Sequence, residues 1–168
     1  MTEVLIRTLG ARDLEAINQV VTEAVMSWPL AERTRRLALP VLRYDAVDLD
    51  HFEAIGVYAV NGRALPVGLY GVALWDAQLL HGLYVCPAAQ RRGLGRRLLD
   101  AVAERAGRAG TARLLIKAER VSASYFERLG LPRADAETAY PYAFYLGATR
   151  SVSVINRGGL TPASVSLS

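Results

Sequence analysis

The sequence predicts a mixed α/β fold, a mostly antiparallel sheet with helices packed on its faces, and three observations carry that reading. Apolar residues recur at spacings of three and four over residues 11–26, 91–109 and 122–129, the pattern of helices that each bury one stripe. From Phe52 to Val85 they alternate at spacing two, with the turn-forming pairs Asn61-Gly62 and Asp76-Ala77 between the runs, as in a three-strand meander. Ala112–Ala118 is a near-continuous apolar run of strand length that follows a helix, so it is predicted as a central strand buried on both faces.

In chain order, Val4–Arg7 reads as a strand, and Gly10-Ala11-Arg12-Asp13 as a helix start with an acidic residue in its first turn. Leu14, Ile17, Val21 and Ala24 then form one stripe, which Trp28-Pro29 ends. A second helical pattern places Leu30, Arg33, Leu37 and Val41 on one side, and Pro40 is predicted to break it at Leu39. The meander strands begin at Phe52, Val67 and Gln78, and Pro87 stops the last. Gly93 and Gly95 open a loop into the helix of residues 91–109, whose stripe is Leu94, Leu98, Val102 and Ala106 and whose end is marked by Gly107 and Gly110. Ser122–Leu129 is a further helix with Gly130 as its C-cap, and Tyr140–Leu146 an aromatic-rich strand. Residues 1–146 make a single domain. The tail, residues 147–168, has Gly158-Gly159, five serines and no sustained period; docking through Val152–Ile155 on a neighbouring subunit, and so a homodimer, is the arrangement expected for it.

Composition excludes several classes. With 52% hydrophobic and 21% charged residues the chain is an ordinary globular domain rather than a disordered or fibrous one. The longest stretch free of Asp, Glu, Lys and Arg, Ala77–Gln90, contains His81 and falls short of the ~20 apolar residues of a membrane span. The opening MTEVLIRTLG lacks a basic start and an apolar signal core, so a cytoplasmic protein is expected. One cysteine, Cys86, has no internal disulfide partner, and with His51 and His81 alone it does not make a zinc site; no metal is expected. The net charge is +4, and of the twenty basic residues nineteen are arginine and one, Lys117, is lysine.

The chemistry concentrates in His81-Gly82-Leu83-Tyr84-Val85-Cys86-Pro87-Ala88-Ala89-Gln90-Arg91-Arg92-Gly93-Leu94-Gly95-Arg96-Arg97, a strand that turns into a helix. A helix start exposes unpaired N–H groups and the positive end of the dipole, and glycines admit an anion close to that backbone. Arg91, Arg92, Arg96 and Arg97 add charge on both sides, which suits a multiply charged phosphate ligand. There is no Gly-x-x-x-x-Gly-Lys-Ser/Thr, so the phosphate loop of ATP-hydrolysing proteins is absent. Leu98 stands where a dinucleotide fingerprint needs its third glycine.

These residues resemble the GNAT superfamily of acetyl-CoA-dependent N-acyltransferases. Gln90-Arg91-Arg92-Gly93-Leu94-Gly95 matches its Gln/Arg-x-x-Gly-x-Gly/Ala pyrophosphate loop, Leu83-Tyr84-Val85-Cys86-Pro87 its pantetheine-binding strand, and Tyr125-Phe126-Glu127-Arg128-Leu129-Gly130 its later helix motif. The order of elements agrees over residues 4–146. The resemblance implies a splayed sheet with acetyl-CoA in the cleft, Leu83, Tyr84 and Val85 pairing with pantetheine, Gln90 to Arg96 around the pyrophosphate, and the Val85 N–H as oxyanion donor. It also implies an amine acceptor, on a small molecule or a peptide, rather than a nucleic acid.

Acyl transfer needs a base for the amine, an oxyanion donor and, where the thiolate leaves with help, an acid. Alternation places His81 on one face with Leu83 and Val85; histidine titrates near working pH, and its place before the glycine loop resembles that of a histidine in part of the family. His81 is the candidate base. Two residues depart from the family pattern. Phe126 stands where the family often has its tyrosine acid, with Tyr125 one residue earlier, a step of about 100° around a helix. Tyr125 is thus the candidate acid, beside the alternative, favoured on sequence, that the thiolate leaves unaided. Glu119 replaces the usual asparagine, and Ser122 is the substitute contact to the cofactor. Cys86 is read as a small loop residue, and Asp45, Asp48, Asp50 and Glu53 as a solvated acidic loop near the acceptor. Two other functions stay open: an RNA-associated protein using Arg33, Arg35, Arg36 and Arg43, and a catalytically silent CoA-binding module.

Overall fold

The computed structural model describes residues 3–60, 66–134 and 138–149. A six-stranded sheet runs in the order β1 (Glu3–Thr8), β2 (Glu53–Val60), β3 (Pro66–Trp75), β4 (Leu79–Val85), β5 (Arg113–Lys117), β6 (Ala143–Gly147). All neighbours are antiparallel except β4 and β5, which are parallel. Five α-helices join them: α1 (Leu14–Met26), α2 (Glu32–Leu42), α3 (Ala46–His51), α4 (Leu94–Arg108) and α5 (Arg120–Arg128). The sheet is thus open, mixed and mostly antiparallel, as expected. The Asn61-Gly62 turn lies outside the described residues.

Both faces of the sheet's centre are covered, because α1, α4 and α5 each bury one apolar stripe. Leu98 and Val102 of α4 and Phe126 of α5 pack with Ile55, Ala73 and Ile116 on one face. Ile17, Val21 and Val25 of α1 pack with Val72 and Leu74 on the other. At the start of α1, Asp13 accepts from the Gly10 N–H (2.9 Å) and from Arg7 Nη2 (2.8 Å), and the same Arg7 nitrogen reaches the Tyr58 hydroxyl (2.7 Å). This ties the helix start to β1 and β2.

Three expectations are corrected. Pro40 does not break its helix: it sits in the last turn of α2, where the missing N–H removes one bond, and the Arg43 N–H still closes on the Leu39 carbonyl (3.1 Å). The stripe on that helix faces outward, with Leu37 67% and Val41 82% exposed. The acidic segment after it is not a loop, for Asp45 and Asp48 accept from each other's N–H (2.8 and 2.9 Å) and cap α3. β5 is buried on one face only: Leu114 and Ile116 are enclosed, while α1 packs on β3 and β4 and leaves Arg113 and Lys117 exposed. On that open face the Lys117 ammonium lies 4.0 Å from the Tyr140 ring centroid.

After β6 the main chain crosses α4. The Thr149 N–H donates to the Ala103 carbonyl (3.0 Å), and a Cβ on Gly107 would strike the Thr149 backbone. The proposed docking segment Val152–Ile155 lies outside the described residues.

Candidate functional site

Strands β4 and β5 pair only at Leu79 with Leu115 and Leu80 with Ile116. Beyond Leu80 they part, and a cleft opens along the C-terminal half of β4. The Cys86 N–H donates to the Tyr70 carbonyl of β3 (2.8 Å). Since main-chain groups alternate sides along a strand, the Leu83 and Val85 N–H groups point away from β3, into the cleft. Tyr84 does not share that role. Its main chain turns toward β3 and its ring is buried in the α1-side core, a correction to its place among the cofactor-binding residues.

The cleft leads to the start of α4. The helix begins at Leu94, three residues later than predicted, because Pro87–Ala89 forms a short 3₁₀ turn and Arg91 and Gly93 adopt left-handed conformations (φ 62° and 73°). The Gln90 side-chain amide donates to the Val85 carbonyl (3.2 Å), tying the loop to the strand end. No atom lies within 4 Å of where a Gly93 Cβ would stand, so conformation rather than space calls for glycine there. The N–H groups of Leu94, Gly95 and Arg96 precede the first intrahelical bond, from Arg97 to the Gly93 carbonyl (3.1 Å). Arg91, Arg92, Arg96 and Arg97 are exposed, and among the described residues none of them is in an ion pair. An open edge of main-chain donors, leading to a dipole end flanked by four unpaired guanidiniums, fits a ligand with an extended amide arm and a pyrophosphate.

From the far side of the cleft, α5 brings Tyr125 to this loop. A Cβ on Gly95 would collide with the Tyr125 hydroxyl and lie 3.9 Å from Val85 Cγ2. Phe126 is 5% exposed and packs on Phe144 (ring centroids 5.5 Å apart). The tyrosine, not the phenylalanine, therefore faces the cleft. Burial pushes the Tyr125 hydroxyl up, against the pull of Arg96 and Arg128, which keeps it protonated at neutral pH. Ser122 donates its hydroxyl to the Glu119 carbonyl (3.0 Å) at the helix start, so toward a cofactor only its oxygen lone pairs are left.

At the head of the cleft stands His81, and alternation misplaces it. The register shift between Leu74 and Trp75 puts Leu80, rather than His81, in one core with Leu83 and Val85. The His81 imidazole instead stacks on Phe52 (centroids 3.9 Å apart, planes at 18°), with Nε2 2.7 Å from Asp76 Oδ2. The Tyr44 hydroxyl donates to the His81 carbonyl (3.2 Å) and lies beside the Tyr84 ring. Burial, with the Glu119 charge adding to it, pushes Tyr84 up to about 12. Gly82 lies beneath them, and any Cβ there would strike the Tyr44 hydroxyl and the Tyr84 ring.

Tyr44 is held by a residue the sequence reading passes over. Asn18 of α1, 6% exposed, donates to the Tyr44 carbonyl (2.8 Å) and accepts from its N–H (2.9 Å). An Asn18→Leu variant strands both groups, so urea unfolding should show a loss of about 2–3 kcal/mol; unchanged stability would mean that Tyr44 is held by something else. Cys86 is buried, and burial together with the Glu23 carboxylate pushes its thiol up to about 12, which makes it an inert packing residue. Arg35 turns inward to the Trp28 carbonyl (3.2 Å), and Arg36 pairs with Glu32 (2.6 Å) on the surface of α2. No described helix is long and apolar enough to cross a membrane, and no metal-ligating cluster occurs among the described residues.

The model of the acetyltransferase (GNAT) family matches residues 18–131. Among solved structures the chain is similar to PaiA N-acetyltransferase from Thermoplasma acidophilum in complex with coenzyme A, with TM-score 0.68 and 17% identity over 87% of this chain and 98% of that one. A GNAT family acetyltransferase from Brucella melitensis in complex with acetyl-CoA gives 0.57 and 17% identity over 98% and 95%. The ribosomal-protein-S18-alanine N-acetyltransferase from Escherichia coli gives 0.53 and 20% identity over 92% and 98%. At such identities the likeness is one of fold. No curated protein matches the chain.

Proposed function

This chain belongs to the GNAT acetyltransferase family, and from that premise we propose that it transfers the acetyl group of acetyl-CoA to a primary amine of a small molecule or peptide, by direct attack in a ternary complex. The observation that carries the reading is the free Leu83–Val85 edge running into the open start of α4 beside Arg91, Arg92 and Arg96. Pantetheine pairs along that edge, and the pyrophosphate sits on the Gly93–Gly95 turn. His81 takes the amine proton, directly or through a water. The Val85 N–H receives the developing oxyanion, and Tyr125 returns a proton to the thiolate.

A mass-spectrometric screen of small amines and peptides with acetyl-CoA tests this. Acetylated product is expected. CoA binding with no product on any amine would leave a silent CoA-binding module. The cofactor half has its own test in Gly93→Val, which forces a β-branched residue into a left-handed conformation at a cost of about 1–2 kcal/mol. Calorimetry should show CoA affinity lower by roughly tenfold, equal to about 1.4 kcal/mol; unchanged affinity would take the pyrophosphate away from this turn. Gly95→Asp is a poorer probe, because its Cβ also displaces Tyr125.

A further inference from the structure

The turn between β3 and β4 holds a carboxylate whose two oxygens do different work. Asp76 Oδ1 accepts from the N–H groups of Gln78 (2.7 Å) and Leu79 (2.8 Å), which is all that the turn requires. Oδ2 is turned to His81 Nε2 at 2.7 Å. An ionised carboxylate only accepts hydrogen bonds, so Nε2 carries the hydrogen and the lone pair of the neutral ring is on Nδ1. The Phe52 ring, stacked at 3.9 Å, fixes the plane of the imidazole. Burial would push the Asp76 carboxyl up, but the bonds from His81, Gln78 and Leu79 together hold it below the usual carboxylate range. It is therefore charged wherever the imidazole titrates.

We propose that Asp76 is the positioning residue of the acetyl transfer, holding His81 in the Nε2–H tautomer so that Nδ1 takes the proton of the attacking amine. The proposal rests on the reading of His81 as the base. In the step itself the amine nitrogen bonds to the acetyl carbonyl carbon, the carbon–sulfur bond breaks, one amine proton passes to Nδ1, and the thiolate takes a proton from Tyr125 or water. The Asp76 charge faces the imidazolium that results. The other groups about His81 are the uncharged Phe52 ring and the Tyr44 hydroxyl on its carbonyl; the Asp48 and Glu119 carboxylates act on Tyr44 and Tyr84 beyond.

Only two histidines occur, His51 and His81, so nitrogen-15 NMR resolves the imidazole once His51→Gln assigns the other. In the wild-type protein the neutral His81 ring should carry its proton on Nε2; finding it on Nδ1 overturns the proposal without any Asp76 variant. Asp76→Asn retains an oxygen for Gln78 and Leu79 and removes the charge. In that variant the neutral His81 ring should no longer hold its proton on Nε2 alone, because the amide nitrogen that faces it donates rather than accepts. The variant's kcat should fall tenfold or more, with the KM for acetyl-CoA within about twofold of wild type. If Asp76 only closes the turn, the His81 tautomer and kcat stay as in the wild type, and the proposal falls. Full turnover in His81→Ala would remove the base reading itself, whereas a slow His81→Ala beside wild-type turnover in Asp76→Asn would remove Asp76 alone.

Discussion

Replacing His81 with alanine should lower turnover by about 100-fold while leaving CoA affinity within about twofold, since one positioned general base contributes at least that much. The imidazole stands at the head of the cleft, where β4 leaves β5, whereas the pyrophosphate turn lies at the other end of the strand. Loss of the ring therefore acts on deprotonation and not on cofactor binding. The sign of the pH dependence follows. A base works unprotonated, so wild-type activity rises with pH, and the deficit of the variant shrinks at higher pH as more amine arrives already deprotonated. Steady-state rates from pH 6 to 10 with one acceptor measure both. Equal rates and equal profiles would return His81 to a packing role against Phe52.

The second large effect belongs to Tyr125. If the hydroxyl beside Gly95 is the thiolate's proton donor, as proposed, Tyr125→Phe should cut kcat by about 10- to 100-fold with folding and CoA binding intact. On sequence the unaided departure of the thiolate is the favoured reading, since Phe126 holds the expected acid position. The placement of the two rings supports the opposite assignment. Phe126→Tyr should not rescue the loss. A hydroxyl added to a side chain 5% exposed and packed on Phe144 enters an apolar core, at a cost of about 1–3 kcal/mol. Wild-type turnover in Tyr125→Phe would show that the thiolate takes its proton from water.

The fold was legible where a single rule governs. The period of α1, α4 and α5 and the alternation of β2 to β4 follow from burying one face, and those elements come out within a few residues. What was missed depends on contacts between distant segments. Asn18 looks like one more polar residue in a helix until the chain returns Tyr44 to it twenty-six residues later. The face of His81 turns on a register shift opposite Leu74 and Trp75, which no pattern within β4 encodes. Two signals were local and available. Asp45-Ala-Val-Asp48 has the spacing of a capping box, and Gly82 inside a strand marks a close approach, which proves to be that of Tyr44. The glycine loop was legible because its chemistry is main-chain chemistry, whereas the surroundings of His81 are assembled from side chains far apart in the chain, Tyr44, Phe52 and Asp76.

Lys117, seated over the Tyr140 ring, has a practical consequence for any assay of this protein. Arginine supplies nineteen of its twenty basic residues, and a guanidinium stays protonated and non-nucleophilic under conditions where acetyl thioesters react with amines. Positive charge for a polyanionic cosubstrate is thus provided almost without lysine amines, so prolonged exposure to acetyl-CoA has one lysine to mark. That ammonium is engaged by an aromatic face 4.0 Å away, a contact an acetylated amide would lose. In intact-mass measurements the enzyme should therefore remain nearly unlabelled at its side chains, and acetyl label that accumulates belongs to the added acceptor.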